Sequence, residues 1–229
     1  MCLRVLMKVV IKLTGKVFSE EYVTTLKVIA DTVKFMHGRG DRVVVIAGGG
    51  KLAREYISLG RKLGLNNSRL DVIGIEASRI NALILASLLG DECYTPIPRN
   101  IDEFMRAWSS NKIVVLGGLQ PAQSTNAVAA IIAELISADM LINATVVDGV
   151  YDKDPSKYSD AKLLSEVSIK ELEKILSQEF LPGHYELIDP LALNIIKRSK
   201  INVVFVNAFK PENIMRVLEG KKVGTRIKW

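Results

Sequence analysis

The chain has 229 residues, of which 48% are hydrophobic, 24% charged and 6% aromatic, a balance that excludes a disordered chain or a coiled-coil rod and suits one large domain or two small lobes on a shared core. Lys and Arg outnumber Asp and Glu by 31 to 25, a formal net charge of +6, which attracts anions without choosing between a small molecule and a polyanion. Two cysteines, Cys2 and Cys93, make neither a disulfide framework nor a metal cluster and point to reduced thiols in the cytoplasm.

Residues 5–13 read as a strand; Arg4, Lys8 and Lys12 break the apolar run, so it does not read as a signal peptide. Residues 20–37 carry Val23, Leu26, Ala30, Val33 and His37 near helical spacing and stop at Gly38 and Gly40. Residues 43–47 are nearly all apolar, as in a strand buried on both faces of a parallel sheet. Gly48, Gly49 and Gly50 follow at once, and 51–63 reads as a helix. The pattern recurs: a helix over 76–89 ending at Gly90, a strand over 112–116 followed by Gly117 and Gly118, a helix over 125–137 and a strand over 140–145. The apolar stretch 127–147 contains Glu134, Asp139 and Asn143, too costly at mid-membrane, so it reads as a buried helix and strand and the chain as having no membrane span. Helices over 168–176 and 189–200, a strand over 201–206, a helix opening at Pro211 and an edge strand over 223–227 complete the reading. Alternating strands and helices predict an α/β sandwich on a mainly parallel sheet. Loop chemistry changes near Asn143, which suggests two lobes, 1–143 and 144–229, with no linker between them.

In such a sheet ligands sit beyond the carboxyl ends of the strands. Three glycine-bearing loops fall there: Thr14-Gly15-Lys16, Gly48-Gly49-Gly50 and Gly117-Gly118. Glycine lets backbone N–H groups approach a phosphate, and three such loops point to one anionic site. The P-loop, Rossmann and protein-kinase patterns are absent. Lys12, within a strand, is either an edge residue with a solvated head or, with Lys16, a charge facing a phosphoryl group. Arg54 lies one helical turn past Gly50 and can point back at the same anion. Arg79 sits where it can simply pair with Glu76. Asp71, read as lying just before the 76–89 helix, is a helix-start carboxylate or an acceptor for sugar hydroxyls. Ser124 and Thr125 cap the next helix, hold a phosphate, or do both. Thr145, Asp148, Tyr151, Asp154 and Pro155 form a polar and aromatic cluster that suits a nucleotide base and ribose. His37 and His184 have no liganding partners nearby in sequence and read as structural or solvated. The small and apolar positions Ala82, Leu85, Ala86 and Leu89 suit either a subunit interface or packing on the sheet.

Taken together, the segments resemble the amino-acid-kinase superfamily, and within it the archaeal-type uridylate kinases. Ile11-Lys12-Leu13-Thr14-Gly15-Lys16 resembles the amino-terminal signature, and Gly48-Gly49-Gly50 with Ala53-Arg54 the second glycine motif. Gly117-Gly118-Leu119-Gln120-Pro121 with Gln123-Ser124-Thr125 resembles the acceptor-phosphate segment, and residues 144–155 the ATP segment. Asp189-Pro190-Leu191-Ala192 and 204–207 resemble the late motifs, and Leu218-Glu219-Gly220 with Gly224-Thr225 the carboxyl end. Two departures stand out: Val146 occupies a position where the family has Asn, and Ala122 one where similar proteins have Gly. An alanine there is strained if its φ is positive.

The resemblance implies a three-layer αβα sandwich of the carbamate-kinase type and phosphoryl transfer from ATP to UMP. Mg²⁺ would be bound mainly through ATP phosphates, with no protein metal ligand assigned. It implies Lys12, Lys16 and Gly15 as catalytic groups. Gly48, Gly49, Gly50, Arg54, Asp71, Gly118, Ser124 and Thr125 would bind UMP. Lys12, Gly15, Thr145, Val146, Tyr151 and Asp154 would bind ATP. It further implies a cytoplasmic homohexamer built from dimers, with no nucleic-acid or membrane partner. Alternatives are a sister kinase for isopentenyl phosphate, carbamate or an acylated amino acid, and a non-catalytic nucleotide- or oxyanion-binding protein. The isopentenyl phosphate branch uses a histidine soon after its glycine motif, and residues 51–60 contain none.

Overall fold

Among the residues the structure describes, the apolar runs build seven strands: β1 (Lys8–Leu13), β2 (Arg42–Ala47), β3 (Val114–Leu116), β4 (Met140–Thr145), β5 (Glu166–Ser168), β6 (Val203–Asn207) and β7 (Thr225–Lys228). A computed structural model describes residues 6–178 and 187–229; Cys2, His184 and the first residue of the predicted opening strand, Val5, lie outside the described residues. Among those described, one sheet has the order β3-β2-β1-β4-β6-β7-β5. Its pairs are parallel except β6 with β7. Strand β7 therefore lies between β6 and β5, not at an edge as the sequence suggested. The correction comes from β5, a three-residue strand too short to read from its pattern.

Among the described residues there are eight α-helices: α1 (Val23–Gly38), α2 (Gly50–Lys62), α3 (Asn67–Leu89), α4 (Ile101–Ser109), α5 (Thr125–Leu135), α6 (Ile169–Gln178), α7 (Pro190–Ser199) and α8 (Glu212–Leu218); α2 packs on α3 and the others on the sheet. Alternating strand residues face two separate cores. Val9, Ile11, Leu13, Val45 and Ile142 pack against α1, α3 and α8. Val10, Val44, Ile46, Leu141 and Phe205 pack against α4, α5, α6 and α7. This is the expected three-layer αβα sandwich.

Helix α3 begins at Asn67, well before the predicted 76. Asn66 caps it by accepting from Arg69 N, so Asp71 lies inside the helix and is not a residue that precedes it. Gly74, in mid-helix, faces Ile57 of α2, where a Cβ would stand 3.2 Å from Ile57 Cδ1. Taken alone, α3 is long and apolar enough to cross a membrane; here it lies on the sheet and buries Ala82, Leu85, Ala86 and Leu89. Those four are thus sheet-packing residues, not an interface. The face left exposed carries Ile80, Leu83, Ile84 and Leu88. Cys93 is buried, which pushes its thiol up to about 11.

Candidate active site

Strands β1 and β4 are neighbours, yet the chain leaves β1 toward β2 and leaves β4 toward β6. That reversal opens a crevice at their carboxyl ends. A cleft of ≈ 820 Å³ lies there, lined by Lys12, Thr14, Lys16, Arg54, Thr145, Val146, Val147, Asp148, Tyr151, Asp154, Pro155, Ser156 and Asn207. The structure thus brings together Lys12, Lys16, Arg54, Thr145, Val146, Tyr151 and Asp154.

The two glycine loops lie beside the cleft, the first lining it through Thr14 and Lys16. Past Leu13 the ladder continues on both sides, with Thr14 N donating to Ala144 O at 2.8 Å and Gly48 N to Leu13 O at 3.0 Å. Gly15 then meets the Gly48–Gly50 turn backbone to backbone: a Cβ on Gly15 would lie 2.0 Å from Gly50 N and 2.6 Å from Gly48 O. Asn81 Nδ2 pins that turn through Gly48 O at 2.7 Å. The turn opens α2, with Gly49 as its N-cap and no side-chain cap bond, so N–H groups at the helix start remain available to an anion.

Lys12 faces the same layer as Val10, beside Ile46 and Asn143 on the flanking strands. Loss of water around its ammonium pushes its pKa down to about 8, while the nearby Asp189 carboxylate acts in the opposite direction. Asp189 caps α7, accepting from Ala192 N at 3.0 Å, and accepts from the Ser124 hydroxyl. Ser124 Oγ in turn accepts from Asn126 N and Ala127 N, both at 3.0 Å. Two helix starts, α5 and α7, are thereby tied together beside Lys12. The sequence reading quoted Asp189-Pro190 as a motif without a role; its signal was an acid before proline, which also reads as an ordinary cap.

The β4 side is held by its own bonds. Asp148 Oδ1 accepts from Lys210 Nζ at 2.7 Å and Asn207 Nδ2 at 3.1 Å; Lys210 above all holds this carboxyl below its usual range. Asp154 Oδ1 accepts from Ser156 Oγ at 2.7 Å and Ser156 N at 2.9 Å, chiefly through which its carboxyl is lowered. Burial, then the Asp148 charge, raises the Tyr151 phenol. Lys210 was not singled out from sequence, and Asn207 only as the end of a late motif without a role, because both lie far along the chain from Asp148.

Gly15, Gly48, Gly49, Gly50, Asp71, Gly118, Ser124 and Thr125 lie outside the lining of this cleft. Gly118 N donates to Ser78 Oγ at 2.7 Å. Arg79 pairs with Glu76 at 2.6 Å, as the sequence allowed, and also donates to the carbonyls of Gly118, Leu119 and Arg99. It is a brace for this loop. Asp71 Oδ2 accepts from Ala122 N at 2.9 Å, joining α3 to the loop before α5.

Ala122 has φ +62°, the left-handed region that costs a residue with a Cβ roughly 1 kcal/mol. Ala122→Gly is expected to remove this strain and keep the Asp71 bond, a net gain of about 0.5 kcal/mol after the entropy of glycine in the unfolded chain. Thermal melting checks this as a rise of roughly 1–2 °C.

Residues 7–207 match the Amino acid kinase family. A uridylate kinase from Sulfurisphaera tokodaii is 48% identical over 223 residues, 96% of this chain and 99% of that protein. One from Sulfolobus acidocaldarius is 46% identical over 219 residues, 95% and 96% of the two chains. Among solved structures, uridylate kinase from Archaeoglobus fulgidus superposes with a TM-score of 0.87 at 40% identity, covering 97% of this chain and 100% of that one. The chain belongs to the amino acid kinase family and shares its fold with this archaeal uridylate kinase.

Proposed function

We propose that the chain is a UMP kinase, transferring the ATP γ-phosphoryl group to UMP to give UDP and ADP. The observation that carries this reading is the convergence of Lys12, Lys16 and Arg54 on one cleft at the β1–β4 crevice. The uridylate kinases matched from end to end make UMP the acceptor of choice. A phosphate oxygen of UMP attacks the γ-phosphorus in line, and ADP leaves. The acceptor is already an anion, so positioning and charge stabilisation suffice without a general base.

Lys12 and Lys16 offset charge on the transferring group, with backbone donors from Gly15 and Gly49. Gly48, Gly50, Arg54, Asp71, Gly118 and Thr125 hold the acceptor in the 1–143 lobe, and Ser124 fixes the helix start from which Thr125 acts. Thr145, Val146, Tyr151 and Asp154 hold the donor in the 144–229 lobe, on the same sheet. Mg²⁺ neutralises phosphate charge when bound. Asp148 and Asp154 are already committed to Lys210 and Ser156, which suits a metal carried mainly by phosphate oxygens. Turnover of UMP, CMP, AMP, GMP and isopentenyl phosphate, followed by ADP release, tests the reading. Fastest turnover of UMP is expected, and equal or faster turnover of CMP overturns the specificity.

Arg54 offers two parallel donors to a phosphate, which lysine does not reproduce. Arg54→Lys is expected to raise KM for UMP roughly tenfold, about 1.4 kcal/mol, with smaller changes in kcat and in KM for ATP. A shift in KM for ATP alone would mean the lobes are assigned backwards.

The enzyme works in the cytoplasm as a homo-oligomer, a hexamer built from dimers. The exposed stripe Ile80, Leu83, Ile84 and Leu88 on α3 is the face a second copy covers. Light scattering is expected to show a hexamer for wild type and a smaller species for Leu83→Glu/Ile84→Glu; a monomeric, active wild type would contradict this assembly.

A further inference from the structure

We propose that Asn143 is a positioning residue for Lys12: its buried side-chain oxygen is the neutral acceptor that steadies the Lys12 ammonium, directly or through one bridging water. Lys12 and Asn143 are register partners on β1 and β4, so their side chains leave the sheet on the same face, about 5 Å apart at the backbone.

The orientation of the Asn143 amide is dictated by its surroundings. Asn143 is 3% exposed, and its Nδ2 donates to Leu187 O at 3.2 Å and Asn126 Oδ1 at 3.3 Å. Turning the amide over would set its oxygen against the Leu187 carbonyl, a backbone acceptor that cannot turn with it, so Oδ1 is committed to the remaining direction. There it is buried and has no hydrogen-bond partner among the described residues. An unfilled buried acceptor is costly, so a donor is expected at that point in the working enzyme. On the β6 side the register neighbour is Phe205, which has nothing to donate. The Ser124 hydroxyl is spent on Asp189. Lys12, on the β1 side, carries three N–H groups.

A neutral acceptor suits this lysine. The charged and titratable groups that share the cleft with Lys12 are Lys16 from the following loop, Arg54 from α2, and Asp148, Tyr151 and Asp154 from the β4 loop, with Asp189 acting from α7; β2 presents only Ile46. Asp189 acts on Lys12 through charge alone. A second carboxylate in direct contact would consume the charge meant for the phosphoryl group, whereas an amide oxygen fixes the ammonium and leaves its charge available.

The inference rests on the kinase reading for its purpose, but its test does not. Lysine side chains are labelled with carbon-13 and titrated by NMR without substrate in wild type, Asn143→Leu and Asn143→Asp. Lys12→Met identifies the Lys12 signal. The Lys12 midpoint is expected to fall by about one pH unit in Asn143→Leu and to rise in Asn143→Asp, with other lysines unmoved. In parallel, kcat of Asn143→Leu is expected to drop about tenfold with both KM values within about twofold, and the basic limb of its pH profile to move down. An unchanged Lys12 midpoint in a folded Asn143→Leu overturns the proposal; if that variant does not fold, an unchanged midpoint in Asn143→Asp does so. Absence of UMP phosphorylation by the wild type would instead defeat the kinase reading and leave the titration to decide this one.

Discussion

Lys12→Met is expected to lower kcat roughly 10²–10³-fold, the cost of removing about 3–4 kcal/mol of transition-state charge stabilisation. Lys12 projects from the end of β1 into the cleft between the proposed acceptor and donor residues. Its charge is worth most when the γ-phosphoryl group is in flight, so both KM values are expected to change little. Methionine has a similar length and fills the same desolvated space without a charge to hydrate. The variant is therefore expected to melt at or above the wild-type temperature while losing activity, which separates a catalytic role from a structural one. The depressed lysine also sets the pH dependence. Its acting form is the ammonium, and its pKa stands at about 8, so wild-type kcat/KM is expected to be level below that value and to fall as pH rises through it. Bound phosphates favour the ammonium, placing the limb of kcat at higher pH than that of kcat/KM. Stability runs the other way. Between about 8 and the ordinary value of 10.5 the unfolded chain holds a proton that the native lysine has released, so stability gains from rising pH across that window. Lys12→Met removes both slopes, which two-substrate kinetics and melting across pH would register.

Gly15→Ala is expected to be among the most damaging single-methyl changes beside the cleft. The added carbon would stand 2.0 Å from Gly50 N, 2.5 Å from Gly50 Cα and 2.6 Å from Gly48 O. All three are backbone atoms, so no side chain can turn aside and the two loops must separate. Overpacking of this kind costs about 3 kcal/mol, a fall of roughly 6–12 °C in Tm for a chain of this size. Separation of the loops also displaces Lys16 and Arg54 relative to Lys12, and a shift near 1 Å in a catalytic constellation costs about 10²-fold in kcat. Gly38→Ala is the matched control: a Cβ there meets nothing within 4 Å, and Tm and kcat are expected to stay near wild type. Equal behaviour of the two variants would show that the Gly15–Gly50 approach is not a constraint.

The central strands were legible because burial on both faces demands continuous apolar runs, as in Val43 to Ala47. The order of strand, glycine turn and helix was legible for the same reason, since only glycine lets Gly15 and Gly50 approach so closely. Other elements went unread for identifiable causes. Helix α4 opens with Asn100 and Glu103 exchanging cap bonds, a signal present in the sequence and passed over because its apolar face is only Phe104, Ala107 and Trp108. The start of α3 was missed because Gly74 reads as a break, whereas the contact with α2 requires a residue without a side chain there.

For the site, the sequence determined which residues carry charge and where the backbone must be bare: Lys12, Lys16 and Arg54 each follow or flank a glycine loop at a strand end, and such local pairings are visible along one dimension. It could not determine what stands beside Lys12. Asp189 reaches it from the start of α7, and Asn143 from the next strand, because parallel pairing brings β1 against β4 and the α5 and α7 starts onto their shared face. The sign of φ at Ala122 was likewise a tertiary outcome, set where Asp71 of α3 holds that residue's N–H. Desolvation and register depend on neighbours distant in the chain, and these tune the lysine that the sequence by itself had only located.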